Sequence, residues 1–331
     1  MTAALRIGLS AQALPALAPA IADVLGARAH ELLSFESLAG AAQPALDIAF
    51  MSRDVTGLST KHALQPATAA AYELLRRSPR LRWVQIHAAG ADRPIYVELR
   101  ARGVSVSTAS GVNADAVAQT ALAGLLALAR GFPQLLAAQR ERRWAPLIQG
   151  AMPRELRGQT ALLLGWGPIG RRLGGLLQAL GLKLVVVRQS AMAAAPGVPT
   201  LSYADWRQAL PTADWLLLTC PLSEQTRALV DADALALLPA GARVINVARG
   251  EIVVEADLIA ALQSGRLGGA YLDVFEHEPL PAASPLWNLD NVIVTPHSAG
   301  HSDGNERQVA ALFIDNLRRW CADPAFAERG N

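Results

Sequence analysis

Three segments in the second half of the chain each follow an apolar run with a residue able to hold or move charge. Arg243-Val244-Ile245-Asn246-Val247-Ala248-Arg249-Gly250 delivers a guanidinium, Tyr271-Leu272-Asp273-Val274-Phe275-Glu276-His277-Glu278-Pro279-Leu280 delivers carboxylates, and Val294-Thr295-Pro296-His297-Ser298-Ala299-Gly300 delivers an imidazole. An imidazole titrates near neutral pH and can give or take a proton. A guanidinium fork pairs with a carboxylate through two parallel bonds. Singly these residues carry little. A histidine after a strand is usually a cap or a surface group, and an Arg–Glu pair is usually a surface ion pair of small worth. What sets them apart is a shared placement at or just past the C-terminal end of a strand, the edge where open α/β sheets bind ligands.

A fourth segment, Gly165-Trp166-Gly167-Pro168-Ile169-Gly170, follows the apolar run Ala161–Leu164 and opens a helical pattern that continues to Leu180. A G-x-G-x-x-G by itself is a weak signal, but one between a strand and a helix reads as a dinucleotide fingerprint. The first glycine permits the tight turn, the second lets backbone approach a pyrophosphate, and the third lets helix and strand pack closely. The helix N-terminus then offers free N–H groups to the phosphates. The bland alternative is a glycine-rich turn with no ligand. The next strand, Lys183–Arg188, lacks the Asp or Glu that binds the ribose hydroxyls of NAD, and no acid occurs between Gly170 and Asp205. Arg188 stands there instead, with Ser190 two residues on. A guanidinium pairs with a 2′-phosphate where a carboxylate would repel it, so the expectation is NADP, with NAD possible.

Elements that position these residues are legible as apolar runs. Leu5–Leu9, Leu46–Met51, Arg82–Ile86, Ala161–Leu164, Lys183–Arg188, Trp215–Thr219, Arg243–Val247, Gly269–Asp273 and Val292–Thr295 read as strands. Most lack polar alternation, as strands covered by helices on both faces do. Helical patterns run over Ala114–Arg130, with Asn113 as a candidate N-cap, and over Asn305–Trp320, while Gln189–Thr200 has loop composition. The alternation predicts α/β architecture.

From about Gly158 to Gly300 the chain strongly resembles the D-isomer-specific 2-hydroxyacid dehydrogenases, which include glyoxylate/hydroxypyruvate reductases and D-lactate, formate and 3-phosphoglycerate dehydrogenases. The resemblance is carried by Pro221-Leu222 with Thr226, Asn246-Val247-Ala248-Arg249-Gly250, Gly269-Ala270-Tyr271-Leu272-Asp273-Val274-Phe275, Glu278-Pro279 and Thr295-Pro296-His297. Earlier in the chain only Ala88-Ala89-Gly90-Ala91-Asp92 matches. The resemblance implies two doubly wound parallel-sheet domains, a Rossmann cofactor domain (residues 106–300) inserted in a flavodoxin-like substrate domain (residues 1–105 and 301–331), with the active site in the cleft between them. It implies His297 as the acid/base, Glu278 hydrogen-bonded to it and favouring its protonated form, and Arg249 on the substrate carboxylate. Ala89 and Gly90 would add backbone N–H groups to that carboxylate, and small residues suit such close approach. The implied cofactor contacts are Gly165, Gly167, Pro168, Ile169, Gly170, Arg188, Ser190, Cys220, Pro221, Thr226, Val247, Ala248, Asp273, His297, Ala299 and Gly300, with Asp273 orienting the nicotinamide. Gln119, Thr108 and Thr219 depart from residues common in the family (Glu, Asn and His) and leave the subfamily open. Arg53 is a candidate for a polar substrate tail, and His87 is similarly placed.

Composition agrees. The 331 residues suit two domains, 52% are hydrophobic, and the formal charge is +2. No basic stripe suggests nucleic acid, and Arg76, Arg77, Arg80 and Arg82 read as a solvated helix end. Two distant cysteines, Cys220 and Cys321, make neither a disulfide framework nor a zinc site, so no metal is expected. The first residues read as a strand and helix rather than an export signal, and no apolar run reaches the ~18 residues of a membrane span. The expectation is a cytoplasmic reductase of a small 2-keto acid, glyoxylate or hydroxypyruvate being the type. The family's habit implies a homodimer, with the Phe132–Met152 segment as an arm across the interface. The competing reading is a dinucleotide-sensing binding protein of the corepressor kind found in the same family, without significant turnover.

Overall fold

The computed structural model describes residues 4–40, 44–150, 152–190 and 192–323, and these divide into two compact units, 1–113 with 302–331 and 114–301. Residues 1–3, 41–43 and 324–331 of the expected substrate domain, residue 151 of the Phe132–Met152 segment and residue 191 of the Gln189–Thr200 loop lie outside the described residues.

Unit 1 holds β1 (Leu5–Leu9), α1 (Ala13–Leu25), β2 (His30–Ser34), β3 (Ile48–Met51), α2 (Arg53–Thr56), α3 (Pro66–Arg76), β4 (Trp83–Ile86), α4 (Pro94–Ala101) and β5 (Ser105–Ser107). Its sheet is wholly parallel in the order β2-β1-β3-β4-β5, the flavodoxin-like arrangement. Unit 2 holds α5 (Ala114–Ala129), α6 (Phe132–Arg140), β6 (Thr160–Leu164), α7 (Pro168–Ala179), β7 (Lys183–Arg188), β8 (Thr200–Ser202), β9 (Trp215–Leu218), α8 (Ala232–Leu237), β10 (Arg243–Asn246), α9 (Glu255–Gln263), β11 (Gly269–Leu272) and β12 (Val292–Val294). Its parallel sheet runs β12-β11-β10-β9-β6-β7-β8, so the chain reverses direction across the sheet between β6 and β9. The last helix, α10 (Asn305–Ala322), returns to unit 1.

Both sheets are buried on two faces, which is why their strands lack alternation. In β6, Leu162 and Leu164 enter one core while Ala161 and Leu163 enter the other. In unit 1 the chain-terminal helix closes one face: Phe313 stacks on Phe50 with ring centroids 4.6 Å apart, and Trp83 stacks on Trp320 at 6.4 Å. Burying a side chain such as Phe313 is worth roughly 1.5–3 kcal/mol over leaving it exposed. The buried Asn316 amide on α10 donates to Gln85 on β4 at 2.9 Å, which fixes the helix's rotation.

Two local expectations change. Asn113 does not cap α5: its Oδ1 is buried without a partner, and the acid of the first turn is Asp115, paired to Arg172 at 2.9 Å. The arginines near 80 are not simply solvated, because Arg80 reaches the buried Asp47 at 3.0 Å and Arg82 lies over the Trp320 ring at 4.8 Å. Among the described residues no single helix is long and apolar enough to cross a membrane, and none of their His, Cys, Asp and Glu side chains cluster as a metal site.

Candidate active site

The fingerprint sits where β6 and β9 part, and its three glycines have different causes. Gly165 has φ +105°, and a Cβ there would lie 2.6 Å from the Cys220 backbone nitrogen. A Cβ on Gly170 would lie 2.2 Å from the Gly165 carbonyl oxygen, so the first turn of α7 presses directly on the turn. Gly167, the N-cap of α7, has φ −77° and ψ −167°, and a Cβ there would meet nothing within 4 Å. The fold does not require glycine at 167. The space is a cradle that a side chain would fill, at the helix end whose N–H groups lack intrahelical acceptors. That geometry fits a bound pyrophosphate.

Arg188 ends β7 half-buried, and its guanidinium has no hydrogen-bond or ion-pair partner among the described residues. Ser190 is exposed. Asp205, the first acid beyond the fingerprint, accepts the Ser202 hydroxyl at 2.7 Å. Cys220 follows β9 with its thiol buried, and burial pushes that thiol up to about 11. Thr226 is buried, accepts from the Ser223 N–H at 2.8 Å and donates to the Pro221 carbonyl at 2.7 Å. Its hydroxyl therefore shapes the 221–226 turn. Thr219 does the same for the fingerprint, donating to the Leu164 and Gly165 carbonyls at 3.1 Å each.

The charged residues come from the ends of β10, β11 and β12. Asn246, the last residue of β10, clamps the following turn: its amide donates to the Arg249 carbonyl at 3.0 Å and its oxygen accepts the Ala248 N–H at 3.0 Å. Val247 and Ala248 are buried in that turn. Gly250 follows, and a Cβ there would lie 1.9 Å from the Phe275 carbonyl carbon, so the Arg249 turn rides on the 275–276 backbone. Glu278 accepts the Phe275 N–H at 3.1 Å through Oε1 and meets His297 Nδ1 at 2.7 Å through Oε2. Burial works against its ionisation. The His297 contact, the Phe275 N–H and the nearby Arg249 charge outweigh that and hold its carboxyl below the usual carboxylate range.

His297 has φ +51°, a left-handed backbone that costs a non-glycine residue energy and needs support from its surroundings. Asp273 supplies it. This carboxylate, 2% exposed, accepts the Thr295 hydroxyl at 2.6 Å, the Ser298 N–H at 2.8 Å and the Ala299 N–H at 2.9 Å. The Asp273 carbonyl accepts the His297 N–H at 2.8 Å, and the Tyr271 hydroxyl meets Thr295 at 2.7 Å. The turn thus holds the imidazole half-exposed, with 48% of its side chain open, against the largely buried Glu278. Since a carboxylate only accepts, Nδ1 carries the proton of that bond, which leaves Nε2 as the ring nitrogen that Glu278 does not engage. Ala299 is buried beneath the turn and Gly300 is half-buried beside it. Asn246 and Thr295 stand in segments that carry the family resemblance, but the sequence assigns no role to them or to Ser298.

In unit 1, Ala89 and Gly90 lie in the loop after β4, and neither N–H finds an acceptor among the described residues. His87 is half-buried at the end of β4 and Arg53 opens α2. The structure thus gathers Arg249, Asp273, Glu278 and His297 within unit 2, with the fingerprint in the same sheet.

Similarity to known proteins agrees with this geometry. Residues 122–299 match the family model described as D-isomer specific 2-hydroxyacid dehydrogenase, NAD binding domain. An (S)-sulfolactate dehydrogenase from Chromohalobacter salexigens is 38% identical over 260 residues, 75% of this chain and 80% of the relative. A glyoxylate reductase from Thermococcus litoralis is 32% identical over 250 residues, covering 74% and 75%. The solved structure of a D-isomer specific 2-hydroxyacid dehydrogenase from Xanthobacter autotrophicus, in complex with NADPH and MES, superposes with a TM-score of 0.74 at 28% identity over 97% of this chain and 96% of that one. With a dinucleotide cradle at the sheet reversal and an imidazole–carboxylate pair at the same sheet's edge, this chain belongs to the D-isomer-specific 2-hydroxyacid dehydrogenases.

Proposed function

We propose that the chain reduces a small 2-keto acid, of the glyoxylate or hydroxypyruvate type, to the D-2-hydroxy acid, with NADP preferred over NAD. The observation that carries this reading is the 2.7 Å contact of His297 Nδ1 with a Glu278 held ionised beside Arg249. Arg249 pairs with the substrate carboxylate and draws electron density from the carbonyl. His297 Nε2 gives its proton to the carbonyl oxygen, and Glu278 stabilises the imidazolium that makes this possible. A bound nicotinamide supplies the hydride. Gly165, Gly167, Pro168, Ile169 and Gly170 hold the pyrophosphate, the turns at 220–226, 247–248 and 299–300 line the rest of the dinucleotide, and Ala89 and Gly90 direct N–H groups to the carboxylate. Asp273, expected to orient the nicotinamide, is instead assigned to holding the His297 turn, because its buried carboxylate accepts three donors of that turn.

The NADP preference rests on Arg188 standing at the end of β7 without an acidic neighbour; the 28% identical structure was solved with NADPH. Glyoxylate reduction draws support from the 32% identical relative of that name. The 38% identical relative is named for sulfolactate, so its keto form belongs in the test. Glyoxylate, hydroxypyruvate, pyruvate, 3-sulfopyruvate and branched and aromatic keto acids should be compared, with absorbance following each reduced dinucleotide. Turnover of one or more with a clear NADPH preference is expected. An NADH preference removes the role of Arg188, and tight dinucleotide binding without any turnover favours the sensing reading. A homodimer through the 132–152 segment is part of the proposal, supported by Trp144 at 93% exposure near exposed Ile148 and Met152.

A further inference from the structure

Two neighbouring backbone N–H groups are each held by a carboxylate. The Phe275 N–H donates to Glu278 Oε1, and the Glu276 N–H donates to Glu255 Oε2, both at 3.1 Å. Glu255 is the first residue of α9. The peptide between Phe275 and Glu276 is therefore gripped twice. Gly250 lies against its face, where a Cβ would come within 2.3 Å of the Glu276 nitrogen, and Glu255 takes its hydrogen. The Phe275 side chain is buried in the core on one side of the sheet. With that ring and the following peptide both fixed, the Phe275 N–H keeps its aim at Glu278.

Both grips come from one stretch of chain. Gly250 directly follows Arg249, and Glu255 lies a little further on. The stretch is braced from the side. The Ile252 carbonyl accepts the Val230 N–H at 3.1 Å, the Val254 N–H donates to the Val230 carbonyl at 3.0 Å, and the Glu251 carbonyl accepts the Ala228 N–H at 2.8 Å. Arg249 and the loop that carries Glu278 are thus mounted on the same braced segment.

A carboxylate in the first turn of a helix has a plainer role, because free N–H groups and the helix dipole favour negative charge there. Asp257, also in the first turn of α9, accepts the Ala232 N–H at 2.8 Å. Glu255 instead reaches the Glu278 loop, and it does so at a cost. Burial and the Glu276 charge push its half-buried carboxyl up, against the Glu276 N–H and the nearby His277. A fully solvated helix start would not carry that desolvation. We propose that Glu255 is a positioning residue: by holding the Glu276 N–H it keeps Glu278 on His297 and in register with Arg249. The assignment rests on the reading of Glu278 and His297 as the proton-transfer pair.

Two variants of the full chain separate this role from that of a helix start. Glu255→Asp keeps the charge at the end of α9 and draws its oxygens back by one methylene. Glu255→Gln removes the charge and leaves an oxygen in reach of the Glu276 N–H. With glyoxylate and NADPH, kcat should fall roughly 2- to 10-fold in Glu255→Asp, as one hydrogen bond is lost, and stay within about twofold of native in Glu255→Gln. KM and NADPH affinity should not change, and thermal unfolding should show both variants folded. Nuclear magnetic resonance with isotope-labelled glutamate gives a readout that needs no substrate, the Glu278 signal being identified by its loss in Glu278→Gln. The Glu278 carboxyl should titrate closer to the ordinary carboxylate range in Glu255→Asp and stay low in Glu255→Gln, because its His297, Phe275 and Arg249 contacts slacken only in the first. The proposal is overturned if Glu278 titrates alike in the native chain and Glu255→Asp, if Glu255→Asp keeps native kcat, if Glu255→Gln loses as much as Glu255→Asp, or if NADPH affinity falls in step with kcat. A native chain that does not turn over glyoxylate counts against the reductase reading alone, and the Glu278 titration then decides for Glu255.

Discussion

Replacing Gly167 with alanine should leave the protein as stable as before, or slightly more so, while weakening its hold on a dinucleotide. The backbone at 167 (φ −77°, ψ −167°) is open to alanine, and a Cβ there has no neighbour within 4 Å. A Gly→Ala change at such a position gains about 0.4–1 kcal/mol by restricting the unfolded chain. The same methyl occupies the cradle at the end of α7, where it holds a phosphate away from the N–H groups. Loss of one charge-assisted hydrogen bond costs about 1.5–3 kcal/mol, or roughly 10- to 150-fold in dissociation constant. The neighbouring glycines give the contrast. Gly170→Ala drives a methyl to 2.2 Å from the Gly165 oxygen, and Gly165→Ala combines a positive φ with a 2.6 Å approach to Cys220. Both should destabilise the fold itself by about 1–3 kcal/mol or more. Chemical denaturation without ligand, paired with fluorescence titration of NADPH, separates the effects. If Gly167→Ala bound NADPH with unchanged affinity, or lost stability as its neighbours do, the assignment of that space to a pyrophosphate would be wrong.

Arg188→Asp should weaken NADPH by roughly 10-fold or more while changing NADH little, because one charge-assisted pair with the 2′-phosphate is replaced by repulsion; titration with both dinucleotides decides, and equal effects would refute the contact. Asp273→Asn sets an amide N–H₂ against a turn whose N–H and hydroxyl donors point at it, so it should cost about 2–4 kcal/mol in denaturation and depress kcat more than KM. Glu278→Gln keeps the hydrogen bond and removes the charge, so kcat should fall and lose its acid-side dependence on Glu278; in the native protein the Glu278 contribution is present above the ordinary carboxylate range and is lost as pH drops through its lowered folded value. His87 titrates at about 4 against 6.5 when free, because burial disfavours its charged form. Between those values the unfolded chain binds more protons than the folded one, so stability falls as pH falls from 6.5 toward 4, by up to about 3 kcal/mol. His87→Asn should flatten that slope in denaturation at a series of pH values.

The apolar runs of the sequence located the strands of both sheets except three: His30–Ser34, Ser105–Ser107 and Thr200–Ser202. All three are edge strands. An edge strand is paired on one side only and lies at the margin of the helical cover, so it can do without a continuous Val/Ile/Leu run; the fourth edge strand, Val292–Val294, keeps one and is legible. The site divides in the same way. Residue types that hold or move protons were readable because Arg249, Glu278 and His297 follow strand ends, and their gathering is read from the coordinates. The work of Asp273 was not readable. It depends on a left-handed residue at 297 that turns three donors toward one carboxylate, and nothing in the Thr-Pro-His spacing announces that conformation. The Asn113 cap failed for a related reason, since a capping side chain needs both the right residue and the right approach of the preceding turn.

The return of α10 to the first unit bears on synthesis. Phe50 and Trp83 emerge from the ribosome early, yet Phe313 and Trp320, which cover them, emerge more than two hundred residues later. Throughout that interval the contiguous stretch 114–301 can complete its own interior, while the amino-terminal sheet waits with one greasy side bare. Chaperone demand should therefore concentrate on the part translated first, and a truncation that removes α10 should expose aggregation-prone aromatic surface far upstream of the cut.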